Sequence, residues 1–234
     1  MILLNEILDL SKIESGTIQL ENEPFSLIKA IEDTVAIQMV TAREKGIDLQ
    51  FKLSSFIDHQ SRGDFNRIRQ LLMNILGNAI KFTHQGCVCV SVELLKLAGE
   101  KALYKIDVKD TGIGIPEDVE LFNRFTQVDS STSREYGGTG LGLVISKSIA
   151  SMMNGDITYQ SELGKGTTFS ITLELGVVNS EFSLLNKKVI IWGKEIPFAP
   201  SVLDSFKNLG VDAKFSESGS SFGPTDIHLI LPDA

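Results

Sequence analysis

Apolar residues open the chain at Leu3, Ile7 and Leu10, with Leu4 and Leu8 beside them, in a +4, +3 rhythm. That narrow seam predicts a helix over residues 1–15, suited to a coiled coil or helical bundle, with Gly16 as its stop. Pro24-Phe25-Ser26 announces a second helix, capped by Ser26 and running to Gly46, with Ile28, Ile31, Val35 and Met39 on its buried face. Residues 47–53 then alternate strictly between apolar and polar, the pattern of a half-exposed strand. Asp64 can cap a third helix that reaches about Thr83. Strands are predicted at 87–95, 103–108, 156–160 and 167–175, the last two paired across a turn carrying Gly164 and Gly166. A Gly/Ser/Thr-rich stretch over 111–140 leads into a helix at about 141–153, which ends near Asn154-Gly155. Helices with mostly antiparallel strands in this order predict an α+β sandwich rather than repeated βαβ units.

Beyond 179–186 the pattern changes. Residues 187–192, 211–215 and 227–231 read as short apolar strands, and 200–209 as a helix stopped by Gly210. This is the opening of a doubly wound parallel sheet, too short to be a whole domain of that kind.

The 234 residues suit one large or two modest domains, at roughly 100–200 residues per domain. A net charge of -8, from 22 Lys+Arg against 30 Asp+Glu, argues against a sequence-independent grip on nucleic acid or anionic lipid. A local basic pocket is still compatible with that balance. No apolar run approaches about 18 residues, and no signal-peptide pattern opens the chain. Met1 leads directly into a helical pattern, so a piece of a longer protein is expected. Cys87 and Cys89 are expected as reduced strand cysteines. Residues i and i+2 of a strand are too far apart for an easy disulfide, and His84 nearby does not complete a metal-ligand set.

Candidate chemistry begins on the third helix. Gln70, Asn74, Asn78 and Lys81 fall within about 80° of one another on a helical wheel, with apolar residues around them. Neutral amides ending in one lysine suit an oxygen-rich ligand bearing a divalent cation: amide oxygens can ligate Mg²⁺, and an ammonium can meet a phosphate. Asp110-Thr111-Gly112-Ile113-Gly114-Ile115-Pro116 follows directly on a strand. Its glycines let backbone approach a planar ligand, and its carboxylate can accept from an exocyclic amine. Gly137-Gly138-Thr139-Gly140-Leu141-Gly142-Leu143 leads straight into a helix, where consecutive N–H groups make an anion site. It is neither a Walker A loop nor a dinucleotide fingerprint.

In this order the pieces resemble the N, G1 and G2 boxes of sensor histidine kinases. Leu121-Phe122-Asn123-Arg124-Phe125-Thr126-Gln127-Val128-Asp129 resembles the F box between them. Leu4 to Gly16 resembles the end of the second helix of the dimerisation and phosphotransfer domain. The resemblance covers about residues 1–176. The F box and the Ser11-Lys12-Ile13-Glu14-Ser15-Gly16 helix end discriminate against a gyrase or mismatch-repair relative.

The resemblance implies a Bergerat-type sandwich, a mixed, mostly antiparallel sheet with helices on one face, over residues 21–178, after a helix end at 1–20. It implies an ATP site in which Asp110 recognises the adenine amino group and Gly112, Gly114 and Ile115 shape its pocket. Asn74 and Asn78 would hold Mg²⁺ against the triphosphate, and Lys81 would contact phosphate. Gly138, Thr139, Gly140, Leu141 and Gly142 would wrap the phosphates, and Arg134 would approach the γ-phosphate. Thr167 would close the pocket, with Phe82 and Phe125 at its margins. Implied partners are ATP or ADP, an upstream histidine-containing helical domain, downstream receiver and phosphotransfer domains, and a response regulator. Nucleic acid is not implied. The implied parent is homodimeric and inner-membrane anchored, with this part on the cytoplasmic side.

The sequence departs from an intact kinase at its histidines. His59, His84 and His228 lack the acid and proline that follow an acceptor, so the chain is expected to bind ATP without autophosphorylating. His59 is read in a loop with Gln60-Ser61-Arg62. The spacing from Pro116 to Phe122 is also shorter than the family's. Residues 187–234, after a linker at 179–186, resemble the start of a receiver domain. Gly193 and Lys194 stand where its acid pair belongs, although Asp233 aligns with the phosphoacceptor. A degenerate receiver after a kinase core is similar to multi-step hybrid kinases of the BarA/GacS/VarS kind.

Overall fold

Two side-chain caps start the helices around which the fold is built. Ser26 Oγ accepts from Lys29 N at 3.2 Å, and Asp64 Oδ1 accepts from Arg67 N at 2.9 Å. Each offers an acceptor to an N–H that the helix itself cannot satisfy. In the computed structural model, which describes residues 2–53, 60–116, 119–123, 140–178, 188–192, 212–216 and 227–230, the chain divides into units Met1–Asn179 and Ser180–Ala234.

The first unit contains helices α1 (Ile2–Glu14), α2 (Leu27–Glu44), α3 (Phe65–Phe82) and α4 (Gly142–Met152). Its strands are β1 (Glu23–Phe25), β2 (Asp48–Leu53), β3 (Gln60–Gly63), β4 (Cys87–Ala98), β5 (Lys101–Asp110), β6 (Asp156–Glu162) and β7 (Gly166–Val178). They form one sheet in the order β1-β3-β7-β5-β4-β2, with β6 also on β7. The β2–β4 pairing is parallel and the others are antiparallel. The period-2 pattern explains the layers. Val88, Val90 and Val92 of β4, Tyr104, Ile106 and Val108 of β5, and Ile171 and Leu173 of β7 are buried in one core with Ile68, Leu71, Ile75 and Ile80 of α3. Burying one such side chain stabilises by about 1.5–3 kcal/mol, so this layer dominates the fold's stability. The alternating residues form a polar face, where Lys105 pairs with Asp107 at 2.9 Å and Ser170 Oγ donates to Asp107 at 2.6 Å. Cys87 and Cys89 lie on β4 with free thiols.

Three features differ from expectation. Gln60-Ser61-Arg62, read as loop, belongs to β3, a polar strand held by backbone pairing to β1 and β7. Its Ser61 is buried with its hydroxyl 3.1 Å from Tyr104 Oη. His59 lies outside the described residues. The β4–β5 hairpin runs on to Ala98 and Lys101, past the point where the apolar pattern fades, because ladder bonds continue it. Leu10 of the α1 seam is buried in the sheet unit's own core, with Ile13 packed against it, whereas Ile7 is 49% and Leu8 48% exposed. Asp9 beside Leu10 accepts from Arg67 Nη1 at 3.1 Å and Gln70 Nε2 at 2.9 Å.

In the second unit, β8 (Lys188–Trp192) lies between β10 (Ile227–Ile230) and β9 (Asp212–Ser216), all parallel. The first strand at the centre is the arrangement expected of a doubly wound opening. The helix expected at 200–209, and Gly193, Lys194 and Asp233, lie outside the described residues.

Candidate functional site

Asp110 is the last residue of β5 and is 6% exposed. Oδ1 accepts from Gly112 N at 2.9 Å and from Thr167 N at 3.2 Å, which ties the glycine loop to the start of β7. Among the described residues, no hydrogen bond reaches Oδ2. Burial pushes the carboxyl above its ordinary range, and the two backbone donors pull it back. A buried carboxylate with one oxygen fixed and one unmatched is prepared to accept from a donor that a ligand brings.

The loop after Asp110 is clamped from both sides. Ile113 N donates to Phe82 O at 3.2 Å at the end of α3, and Gly164 N donates to Ile113 O at 2.7 Å from the β6–β7 turn. Gly114 has φ 72°, a left-handed conformation, and a Cβ there would strike Glu162 O. Ile115 N donates to Ser161 Oγ at 2.8 Å, and that hydroxyl also lies 3.1 Å from Gly166 O and 2.8 Å from Thr167 Oγ1. One serine therefore joins three backbone or side-chain groups around the loop.

The second wall is where α3 meets the start of α4. Asn74 Nδ2 donates to the buried Ser146 Oγ at 2.8 Å, which fixes the amide and so the place of Oδ1. Gly142 packs so closely on Asn74 that a Cβ would collide with Oδ1. The N-cap of α4 is the buried Leu141, which makes no side-chain capping bond and follows Gly140. Backbone N–H groups at such a start suit an anion. Asn78, one turn beyond Asn74, is half-buried. Lys81 Nζ lies 4.8 Å from the centre of the half-buried Phe82 ring. Burial, and then the Lys45 ammonium, lowers the pKa of Lys81.

The structure thus gathers Asp110, Gly112, Gly114, Ile115 and Thr167 at one loop, and Asn74, Gly140, Leu141 and Gly142 at a helix junction, with Asn78, Lys81 and Phe82 further along α3. Phe125, Arg134, Gly138 and Thr139 lie outside the described residues. Leu121 of the F-box segment is buried, and Phe122 meets Tyr159 at 6.0 Å between ring centres and Lys147 Nζ at 4.4 Å. Gln70 does not share the wall, since Asp9 and Arg67 hold its amide. Sequence reasoning missed Ser146, Ser161 and Gly166, where a Cβ would meet Asp110 O. The signal for Ser161 was its place just before the Gly164–Gly166 turn; an isolated serine on α4 offered none.

Residues 63–177 match the model of the family described as histidine kinase-, DNA gyrase B-, and HSP90-like ATPases. They form a domain of that family. The ATPase-family domain is of the catalytic type found in hybrid histidine kinases. The chain is 42% identical over 186 residues to hybrid signal transduction histidine kinase B of Dictyostelium discoideum, covering 78% of this chain and 9% of that protein. It is 38% identical over 193 residues to signal transduction histidine-protein kinase BarA of Escherichia coli (strain K12), covering 82% and 20%. Among solved structures, full-length ShkA in complex with AMPPNP aligns with a TM-score of 0.65 at 25% identity, covering 92% of this chain and 45% of that one. The chain therefore spans a fifth or less of these curated relatives. The mixed, mostly antiparallel sandwich is the fold expected from the sequence.

Proposed function

We propose that this chain is the ATP-binding catalytic part of a hybrid histidine kinase and that it supplies the γ-phosphoryl group for a histidine on a dimerisation domain. The observation that carries the reading is the buried Asp110 carboxylate with Oδ1 fixed by Gly112 and Thr167. Oδ2 would accept from the exocyclic amine of adenine, recovering part of what burial costs the carboxylate. Gly112, Gly114, Ile115 and Thr167 would line the base, with Phe82 at the margin. Lys81 and the α4 N-terminus, with Gly140, Leu141 and Gly142, would take the phosphates. Phe125, Arg134, Gly138 and Thr139 join the site by resemblance alone.

The donors fit Mg²⁺. Asn74 Oδ1 is a neutral hard oxygen oriented by the bond to Ser146, in a cradle that a Cβ at Gly142 would fill. Asn74 and Asn78 would hold the ion, which when bound neutralises charge on the triphosphate. In the transfer an imidazole nitrogen forms a bond to the γ-phosphorus as the bond to the β-γ bridging oxygen breaks, and ADP leaves. This chain's residues position the nucleotide for that in-line step.

No histidine of this chain has an acceptor's surroundings, so the acceptor is assigned to another part of the parent. That parent is read as a homodimer carrying receiver and phosphotransfer domains and passing phosphate to a response regulator. The parent is anchored in the inner membrane, with this part cytoplasmic. Among the described residues, no helix is long and apolar enough to cross a membrane. In the receiver-like segment, Gly193 and Lys194 in place of the acid pair leave Mg²⁺ poorly held, so Asp233 should stay unphosphorylated.

Calorimetry with Mg-ADP tests the site. Wild-type chain should bind, and Asp110→Asn should weaken binding by at least about 100-fold, because a donor would then face a donor. Equal affinities would sink the assignment. Incubation with labelled ATP should leave no stable phosphohistidine on this chain.

A further inference from the structure

The carbonyls of Ile80, Lys81 and Phe82 close α3 and lie beyond the reach of the helix's own N–H donors. Each is met from outside. Lys45 Nζ, from the C-cap of α2, donates to Ile80 O at 2.9 Å and to Lys81 O at 2.8 Å. Ile113 N takes Phe82 O at 3.2 Å. Thr83 adds its own hydroxyl to Ala79 O at 2.7 Å. An ammonium is also the charge that a helix C-terminus favours. The turn held in this way carries Lys81, and its Phe82 O is the atom against which Gly112 packs. Without Lys45, two carbonyls of that turn would turn to water and the turn could fray, as helix ends do when their caps are lost.

We infer that Lys45, which lies outside the glycine boxes and the asparagine helix, is a positioning residue of the nucleotide site: it locks the last turn of α3 and thereby aims Lys81 at the phosphates. Lys45 would act on the ligand only through that turn. The inference rests on the nucleotide reading proposed above.

The test is a double-mutant cycle with Mg-ADP titrated into wild type, Lys45→Met, Lys81→Met and the double variant. Lys45→Met keeps the aliphatic stem and loses donor and charge. It should weaken binding about 5- to 10-fold, the size of one or two net hydrogen bonds. Lys45→Arg can reach the same carbonyls and should stay within about twofold of wild type. In the Lys81→Met background, Lys45→Met should change the affinity no further, because residues acting as one unit are not additive. Unchanged affinity in Lys45→Met, or the same loss with and without Lys81, overturns the inference. So does a fall in melting temperature without a fall in affinity, which would mark a helix cap alone. If Lys45→Met does not fold, Lys45→Gln takes its place in the cycle. Failure of the wild type to bind Mg-ADP would overturn the nucleotide reading itself, and this inference with it.

Discussion

The two halves of α3 carry one continuous polar stripe and use it differently. In the N-terminal half, Asp64 is occupied by Arg67 N and Glu21 N, while Arg67 and Gln70 are occupied by Asp9 of α1. In the C-terminal half, Asn74 is oriented by its bond to Ser146 and stands at the glycine-rich start of α4, with Asn78 and Lys81 beyond it. Helical periodicity is identical in both halves, so it cannot tell them apart. The difference comes from what stands opposite. One half faces a helix that brings a carboxylate, and the other faces a helix start that brings glycines and backbone N–H groups.

That contrast can be broken by substitution. The largest effect should come from Asn74→Ala, which removes both an oriented oxygen and a proposed ligand of Mg²⁺. Mg-ADP affinity should drop by about 100-fold or more in calorimetry, while stability falls only by about 1 kcal/mol, the worth of one hydrogen bond. A variant that binds normally would erase the distinction between the halves. Gly142→Ala should come next. Its Cβ must displace Asn74, so binding should weaken by about tenfold, with a loss of about 1–3 kcal/mol on denaturant unfolding. Asp9→Ala should leave Mg-ADP affinity within about twofold and cost about 1 kcal/mol, since the Asp9–Arg67 pair is partly exposed at 22% and 24%. An affinity change as large as that of Asn74→Ala would show that the two halves are not separate.

The smallest effect concerns pH. Burial raises the carboxyl of Asp110 above its unfolded value of 3.8, so the folded chain holds that proton more tightly than the unfolded one. The stability this contributes is fully present below the unfolded value and is lost as pH rises through the folded one. Asp110→Asn does not titrate there. Its melting temperature, relative to wild type, should therefore rise as pH increases from about 4. A difference that stays flat across that range would mean that the carboxyl titrates alike in both states.

Much of the fold was legible where local chemistry repeats a rule. Ser26 and Asp64 announced their helices, and residues 87–95 announced a strand, which the structure shows as β4. The glycines around Asp110 and before α4 could be read because a missing side chain next to a helix or strand end has few other uses. What stayed hidden depends on distant neighbours. β3 is too polar to announce itself, and it exists because β1 and β7 complete its backbone bonds. Ser146 and Ser161 are ordinary letters in the sequence, and only the folded chain sets them against Asn74 and Ile115. Gln70 was legible as a member of a face, though not as the partner of a residue 61 positions earlier.

Leu10, only 9% exposed in the core of the sheet unit, also bears on how the chain tolerates trimming. A protease cutting after Gly16 would separate Leu10 and Ile13 from the sheet unit whose core they join. The sheet unit would keep its strands but expose an apolar scar, and it should self-associate more readily than before the cut.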